Sequence, residues 1–352
     1  MSNPRLQIDG NKIAENAALL IKMLKPLAID VVAVTKVFMG HPVIARLLID
    51  AGATILADSR IENIERMRRA GISVPIMLIR PPMLSQLERV LLNCNISLNT
   101  EISTIQALSA SAKKLGVFHQ VIIMVELGDL REGVMPHHLI EIIKETCSLS
   151  NISLQGIGAN LACRYGIAPD NHNMTYLAKL ASDIETHFKI KLDIISGGNS
   201  ANLLWAFSSD NVERVNQLRL GESIYFGVEA LKKRRISGAH TDTVKLIAEV
   251  IESNQKPSIP WGKRHKNAFG EQDDIIDRGD VAQAILALGR QDVDPHGLIS
   301  PEGLTIISAS SDHIVIESNN TPLEIGQEIE FKIDYVGLLS AMTSPFVKKY
   351  FT

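Results

Sequence analysis

Eight short apolar segments, each ending in polar or glycine residues, recur through the first 236 residues of the chain. They are Val31–Val34, Ala53–Ala57, Pro75–Arg80, Ile96–Asn99, Gln120–Leu127, Ile152–Gly158, Leu192–Ile195 and Gln217–Leu220. Continuous apolar runs of this length suit parallel strands covered on both faces. Most are followed by stretches in which apolar residues return every three or four positions. Examples are Val43, Ile44, Leu47 and Leu48 after the first, and Met174, Leu177, Leu180 and Ile184 after the sixth. A helix over Ile13, Ala17, Leu20 and Leu24 precedes the series and stops before Pro26. Eight strand–helix repeats in roughly 220 residues describe a (β/α)8, TIM-type barrel. An open doubly wound sheet shares this grammar, but the count of eight favours closure.

After Ser237 the pattern changes. Val244–Ile251, Val281–Leu288, Leu304–Ile307, Ile314–Ile316 and Glu328–Ile333 read as strands separated by glycine, proline and Asn-Asn punctuation. The chain therefore divides into a barrel over residues 1–236 and a mostly β domain over residues 237–352. The short alternating run Arg5–Asp9 is free to pair with the β domain. Ser253–Asp277 is polar and rich in proline and glycine, and reads as an excursion outside both cores.

The formal net charge is −3 and no basic block occurs, which argues against nucleic acid and anionic membrane as partners. No apolar run approaches the ~18–20 residues of a membrane span. The start, Met1-Ser2-Asn3-Pro4-Arg5, lacks the regions of a signal peptide. Cys94, Cys147 and Cys163 are too few and too scattered for a disulfide framework or a structural zinc site. The expectation is a cytoplasmic enzyme without a metal.

In a barrel, catalytic groups collect where strands end. Those positions hold Lys36, Asp58, Arg80, Asn99, Arg131, Asn160, Ser200, Arg219 and Gly221. Lys36 follows the apolar run Val31-Val32-Ala33-Val34-Thr35, where desolvation would lower its pKa and ready it to bond a carbonyl. Many strand-ending lysines are merely solvated. Ser196-Gly197-Gly198-Asn199-Ser200 follows the seventh strand and Gly221-Glu222 the eighth, the two loops from which barrel phosphate sites are usually built. An ordinary glycine turn is the plainer reading of the first. Arg219, inside an apolar strand, needs either a salt bridge or a ligand atom. A carbonyl-bonding lysine and a phosphate site on one face are together what pyridoxal 5′-phosphate requires.

Beyond these residues, the chain resembles the alanine racemase family of pyridoxal-phosphate enzymes, in its ornithine racemase-like branch. Among the runs that carry the likeness are Ala33-Val34-Thr35-Lys36-Val37-Phe38, Ala57 to Ile64, Glu126 to Gly133, Gly156 to Cys163 and Ser196 to Asn202. Arg219 to Gly227, Ala287 to Asp294, Ala309 to His313 and Asp334 to Pro345 extend it nearly end to end. The resemblance implies a barrel, a C-terminal β domain and a head-to-tail homodimer in which that domain completes the partner's active site. It implies that Lys36 bonds the cofactor's aldehyde and that Arg219 meets its pyridine nitrogen. Ser200, the backbone at Gly221 and Glu222, and Tyr335 would hold the phosphate. Arg131 would lie near the phenolic oxygen, and Asn160 stands where alanine racemases carry a histidine beside the ring. Asp312 matches a residue near the partner's site.

One position departs from the family. Alanine racemases supply a second acid–base group as the tyrosine of a Gly-Tyr-Ala-Asp turn, and here that turn reads Gly289-Arg290-Gln291-Asp292. The candidates to replace it are Cys163 and, from the partner subunit, Asp312 or His313. The expected reaction is inversion at Cα of a free amino acid, with ornithine or another basic amino acid as substrate. Its distal ammonium would need a carboxylate such as Glu222, Asp292 or Asp312. Three alternatives stand beside this: an alanine or broad-specificity racemase, a non-catalytic pyridoxal-phosphate carrier, and a D-amino-acid aldolase or dehydratase. Residues 237–352 argue against the carrier. The absence of cysteine after Cys163 argues against the metal site of the aldolases.

Overall fold

The structure is a computed structural model that describes residues 4–266, 270, 276–319 and 321–352. The chain separates into two compact units, one formed by Gly10–Thr241 and the other by Met1–Asp9 together with Asp242–Thr352. Strand β1 (Arg5–Ile8) belongs to the second unit and helix α1 (Gly10–Leu24) opens the first.

The first unit then alternates without interruption. Its first half runs β2 (Asp30–Val34), α2 (Pro42–Asp50), β3 (Ile55–Asp58), α3 (Ile61–Arg69), β4 (Ile76–Leu78), α4 (Leu87–Asn93), β5 (Ile96–Asn99) and α5 (Ile102–Leu115). The second half runs β6 (His119–Met124), α6 (Leu139–Ser148), β7 (Ile152–Gly158), α7 (Asn171–Phe188), β8 (Ile194–Gly198), α8 (Asn202–Ser208), β9 (Gln217–Leu220) and α9 (Glu222–Phe226). Strands β2 to β9 form a closed parallel barrel in sequence order. Closure comes from β9 on β2, with Val32 beside Arg219 and Ala33 beside Leu220. The eight strands expected from the apolar segments are the eight staves, and the open sheet is excluded.

Alternation along the staves fills the barrel. Val32, Val34, Ala57, Met77, Ile96, Leu98, Ile122 and Met124 pack as one buried cluster drawn from β2 to β6. Helices cover the outside with the stripes read from their spacing. Ile13, Ala17, Leu20 and Leu24 of α1 are buried, as are Met174, Leu177 and Ile184 of α7. Helix α7 begins with a capping box between Asp170 and Asn173. No described helix is long and apolar enough to cross a membrane.

The second unit is built on a sheet of β10 (Val244–Pro257), β11 (Asp280–Leu286), β12 (Leu298–Ile299), β13 (Leu304–Ala309), β14 (Ile314–Ser318) and β15 (Glu328–Ile333). Their order is β12-β15-β10-β11-β14-β13. Helix α10 (Tyr335–Thr343) and strand β16 (Lys348–Phe351) close the chain. Strand β1 lies antiparallel to β10 and parallel to β16. The Arg5 guanidinium gives two 2.6 Å bonds to Glu328.

One expectation is corrected here. Ser253–Pro257 is no excursion, because β10 runs through it and pairs with Asp280–Ala284 of β11. A register shift between Val250 and Glu252 lets a strand that is mostly buried in its first half continue outward as a polar arm. Polar composition concealed the strand because neither face of the arm is buried. The rest of that stretch includes residues 267–269 and 271–275, which lie outside the described residues.

Closure leaves little room between β7 and β8. A Cβ on Gly156 would sit 1.7 Å from the Ile194 carbonyl oxygen. Gly156→Ala is expected to destabilise the barrel by about 1–3 kcal/mol, the usual cost of overpacking. Urea unfolding checks this, and an unchanged midpoint would contradict it.

Candidate active site

The backbone at Lys36 is fixed by bonds that its neighbours make. Strand β2 ends at Val34, whose carbonyl accepts a 2.6 Å bond from the buried Tyr225 hydroxyl. The Tyr225 ring meets Phe38 edge-on, with centroids 4.8 Å apart. Thr35 donates to the carboxylate of Asp58 at 2.8 Å, and the same carboxylate accepts from Asn63 at 2.9 Å and the Arg60 amide at 3.0 Å. Burial pushes the Asp58 pKa up, against the pull of those donors. Asp58 is thus a strut tying the end of β2 to the start of α3.

Lys36 is exposed as a whole residue at the mouth of the barrel, yet desolvation by the surrounding atoms holds its amine's pKa below that of a free lysine. A thiolate at Cys163 would favour the ammonium most strongly; Arg131 opposes it, and Asp58 and Glu132 favour it. Residues from the loops after β2, β6 and β7 therefore share one field.

Arg219 is fully buried, and its guanidinium donates to two neutral oxygens, the Ser196 hydroxyl and the Ala159 carbonyl, the latter at 2.7 Å. Burial draws its pKa down to about 10, against the pull of Glu132 and Cys163. The choice between salt bridge and ligand atom thus goes against the salt bridge.

The loop after β8 is shaped by Gly198, whose φ of +149° and proximity to Asn202 Oδ1, 2.1 Å from any added Cβ, exclude other residues. It presents Ser200, whose Oγ accepts from the amides of Gly221 at 3.4 Å and Ser223 at 3.2 Å. Asn199 donates to Asn160 Oδ1 at 3.1 Å and lies 3.6 Å from the Cys163 sulfur. Asn160 Nδ2 is buried with no hydrogen-bond partner. Such a donor awaits an acceptor.

Cys163 is exposed, and its thiol lies against the Arg131 guanidinium. Arg131 in turn grips Glu132. What fixes Cys163 is a residue the sequence reading passed over. The buried Asp129 carboxylate accepts the amides of Cys163 at 2.9 Å and Arg164 at 2.8 Å on one oxygen. On the other it accepts Tyr165 at 3.1 Å and Ile167 at 3.3 Å. Burial alone would raise its pKa, but the four donors together carry it below the usual carboxylate range. Asp129 belongs to the loop after β6 and its donors to the loop after β7, so one carboxylate fastens both.

Lys36, Arg131, Asn160, Cys163, Ser200, Arg219, Gly221 and Glu222 therefore all stand on loops or strand ends at the carboxyl face of the barrel, Glu222 bonded to Lys233. Tyr335 and Asp312 belong to the second unit. Tyr335 opens α10, whose cap is Asp334. Asp312 turns between β13 and β14, bonded to Ser311 and 3.3 Å from His313. The Arg290 and Gln291 amides donate to the Ser310 and Ser311 carbonyls at 2.9 Å, so the Gly289–Asp292 turn and the Asp312 turn form one structure. Asp292 is spent on the Gly289 amide at 2.9 Å, with its pKa raised by burial. Among the described residues no cluster suited to a metal ion occurs.

A closed barrel with a lysine of lowered pKa and an anion-ready loop pair at its carboxyl face suits an enzyme that works with a phosphorylated carbonyl cofactor. Residues 8–229 match the model of the alanine racemase N-terminal domain. Over 353 residues, covering 100% of this chain and 99% of the relative, it is 38% identical to a lysine racemase of Thermotoga maritima. It is 36% identical to an ornithine racemase of Acetoanaerobium sticklandii, with 98% and 99% covered. The fold matches alanine racemase of Bartonella henselae, solved with covalently bound pyridoxal phosphate, at a TM-score of 0.77 and 20% identity over 100% of both chains. The chain belongs to the alanine racemase family.

Pyridoxal 5′-phosphate is its cofactor, and the residues suit that group. An amine of lowered pKa is suited to an aldehyde, and the partnerless Asn160 Nδ2 has an acceptor to gain. Asp129→Asn replaces half of a four-amide acceptor with a donor. It is expected to lower turnover by about 10- to 100-fold while leaving visible cofactor absorbance intact. Absorbance spectra and initial rates check this; full activity would remove Asp129 from the site's support.

Proposed function

We propose that the protein is a pyridoxal-phosphate-dependent racemase of a free basic amino acid, ornithine or lysine, interconverting its L and D forms. The observation that carries this reading is end-to-end identity of 38% and 36% with a lysine and an ornithine racemase, with a lysine of lowered pKa, Lys36, at the barrel mouth. The bound cofactor supplies an electron-poor ring that acidifies the α-proton of an attached amino acid. Lys36 would hold the cofactor through its aldehyde and, once the substrate amine has displaced it, would move the α-proton on one face. Arg219, which can only donate, would meet the pyridine nitrogen as an acceptor. Ser200 with the Gly221 and Glu222 backbone and Tyr335 would bind the phosphate. Arg131 and Asn160 would bracket the ring's polar edge.

On the opposite face the family tyrosine is replaced at Arg290, a residue with no proton to give up near neutrality. Cys163 is the proposed acid–base group there, because its loop is clamped by Asp129 and its thiol lies within the field of Lys36. Asp312 is the second candidate, supplied by the partner of a head-to-tail homodimer. Three unpaired cysteines suit a cytoplasmic setting.

Capture of the cofactor tests the lysine. Apo-protein mixed with pyridoxal phosphate should develop visible absorbance with a pH midpoint below the ordinary lysine value of ~10.4, since the unprotonated amine reacts. Lys36→Ala should develop none and should not racemise. Unchanged spectra in that variant would sink the assignment.

Incubation with single enantiomers in deuterated water tests the reaction and the second group. Cys163→Ala should cut racemisation by about 10²–10⁴-fold while deuterium still enters the enantiomer whose α-proton faces Lys36. If Asp312→Asn gives that pattern and Cys163→Ala does not, the role passes to Asp312.

A further inference from the structure

A diamino acid must find an anion for its distal ammonium, and the barrel's own carboxylates can be sorted by what already occupies them. Asp58 is consumed by Thr35, Asn63 and the Arg60 amide, and Asp129 by four amides. Glu126 takes the amides of Gly128 at 2.6 Å and Leu130 at 3.0 Å. Glu101, at the start of α5, is exposed, and Glu222 is bonded to Lys233. Glu132, like Glu222, is paired with a cation, and it differs in what its charge reaches. Its side chain is 19% exposed, it is held by the Arg131 guanidinium, and both Lys36 and Arg219 feel its charge.

We propose that Glu132 receives the distal ammonium of the substrate and selects diamino acids over neutral ones. The proposal rests on the racemase reading above. Arg131 and Glu132 neutralise each other before substrate arrives. A substrate carboxylate drawn to Arg131 loosens that pair and leaves Glu132 a shielded anion without its cation, which is costly. An amino acid with an apolar side chain offers nothing in return. A diamino acid brings its own cation, and the four charges then alternate in sign. Discrimination of this kind penalises the substrate that leaves a site group unpaired.

The test separates charge recognition from cofactor chemistry by using 5-aminopentanoate, which keeps the carboxylate and distal ammonium but lacks the α-amine. Calorimetry with the holoenzyme should show tighter binding of 5-aminopentanoate than of pentanoate. Glu132→Gln should erase that preference by about 10- to 100-fold. The ratio of kcat/KM for ornithine to that for alanine should fall by a similar factor, and Glu132→Asp should retain part of it. Equal losses with both ligands and both substrates, or an unchanged ratio, would overturn the proposal. A wild-type enzyme that racemises neither ornithine nor lysine would instead overturn the functional reading beneath it.

Discussion

Closure of the barrel between β9 and β2 is the constraint on which the site depends. The register sets Val32 beside Arg219 and Ala33 beside Leu220, so the residues that follow, Lys36 on one strand and Gly221 on the other, emerge next to each other. The Tyr225 hydroxyl on the Val34 carbonyl fastens the seam from the far side of Gly221. The buried guanidinium of Arg219 and the amine of Lys36 at the barrel mouth both lose solvation, and both have lowered pKa values for that reason. The lysine becomes easier to deprotonate, while the arginine, with an ordinary value so much higher, stays a cation.

Around these two, the neighbouring loops are stiff. Asp129 gathers four amides from the loop after β7, and Asp58 gathers Thr35, Asn63 and Arg60 at the loops after β2 and β3. Neither acid needs to touch a reacting atom. Each spends its charge holding backbone or a neighbour, whereas the charge of Glu132, paired with Arg131, also acts on Arg219.

The staves and the lysine were legible in the sequence because each depends on local pattern. An apolar run bounded by polar residues identifies its strand, and Lys36 is read from the strand before it. Asp129 was not legible, since its donors lie 34 to 38 residues further on in a loop with no pattern. Tyr225 was passed over for the same reason, its acceptor being 191 residues away. The arm Ser253–Pro257 was read as loop because polar residues on both faces of a strand remove the alternation that announces it. Helix α10 was missed because glycine and serine interrupt its apolar residues, and strand β16 because half of its four residues are lysine. Residue types were visible throughout; partners distant in sequence were not.

The placement of β1 has a consequence for how the molecule is made. The barrel unit, Gly10–Thr241, has all its staves once the ninth strand has been synthesised. The other unit is different. Its first strand, Arg5–Ile8, precedes the whole barrel, and the strand lying parallel to it, Lys348–Phe351, follows it. Arg5 waits for Glu328, 323 residues downstream. Contacts so far apart form late because the chain entropy of bringing them together must be overcome first. The barrel's staves are therefore all made while β1 still lacks its parallel partner, and the second unit closes only after Lys348–Phe351 has followed them.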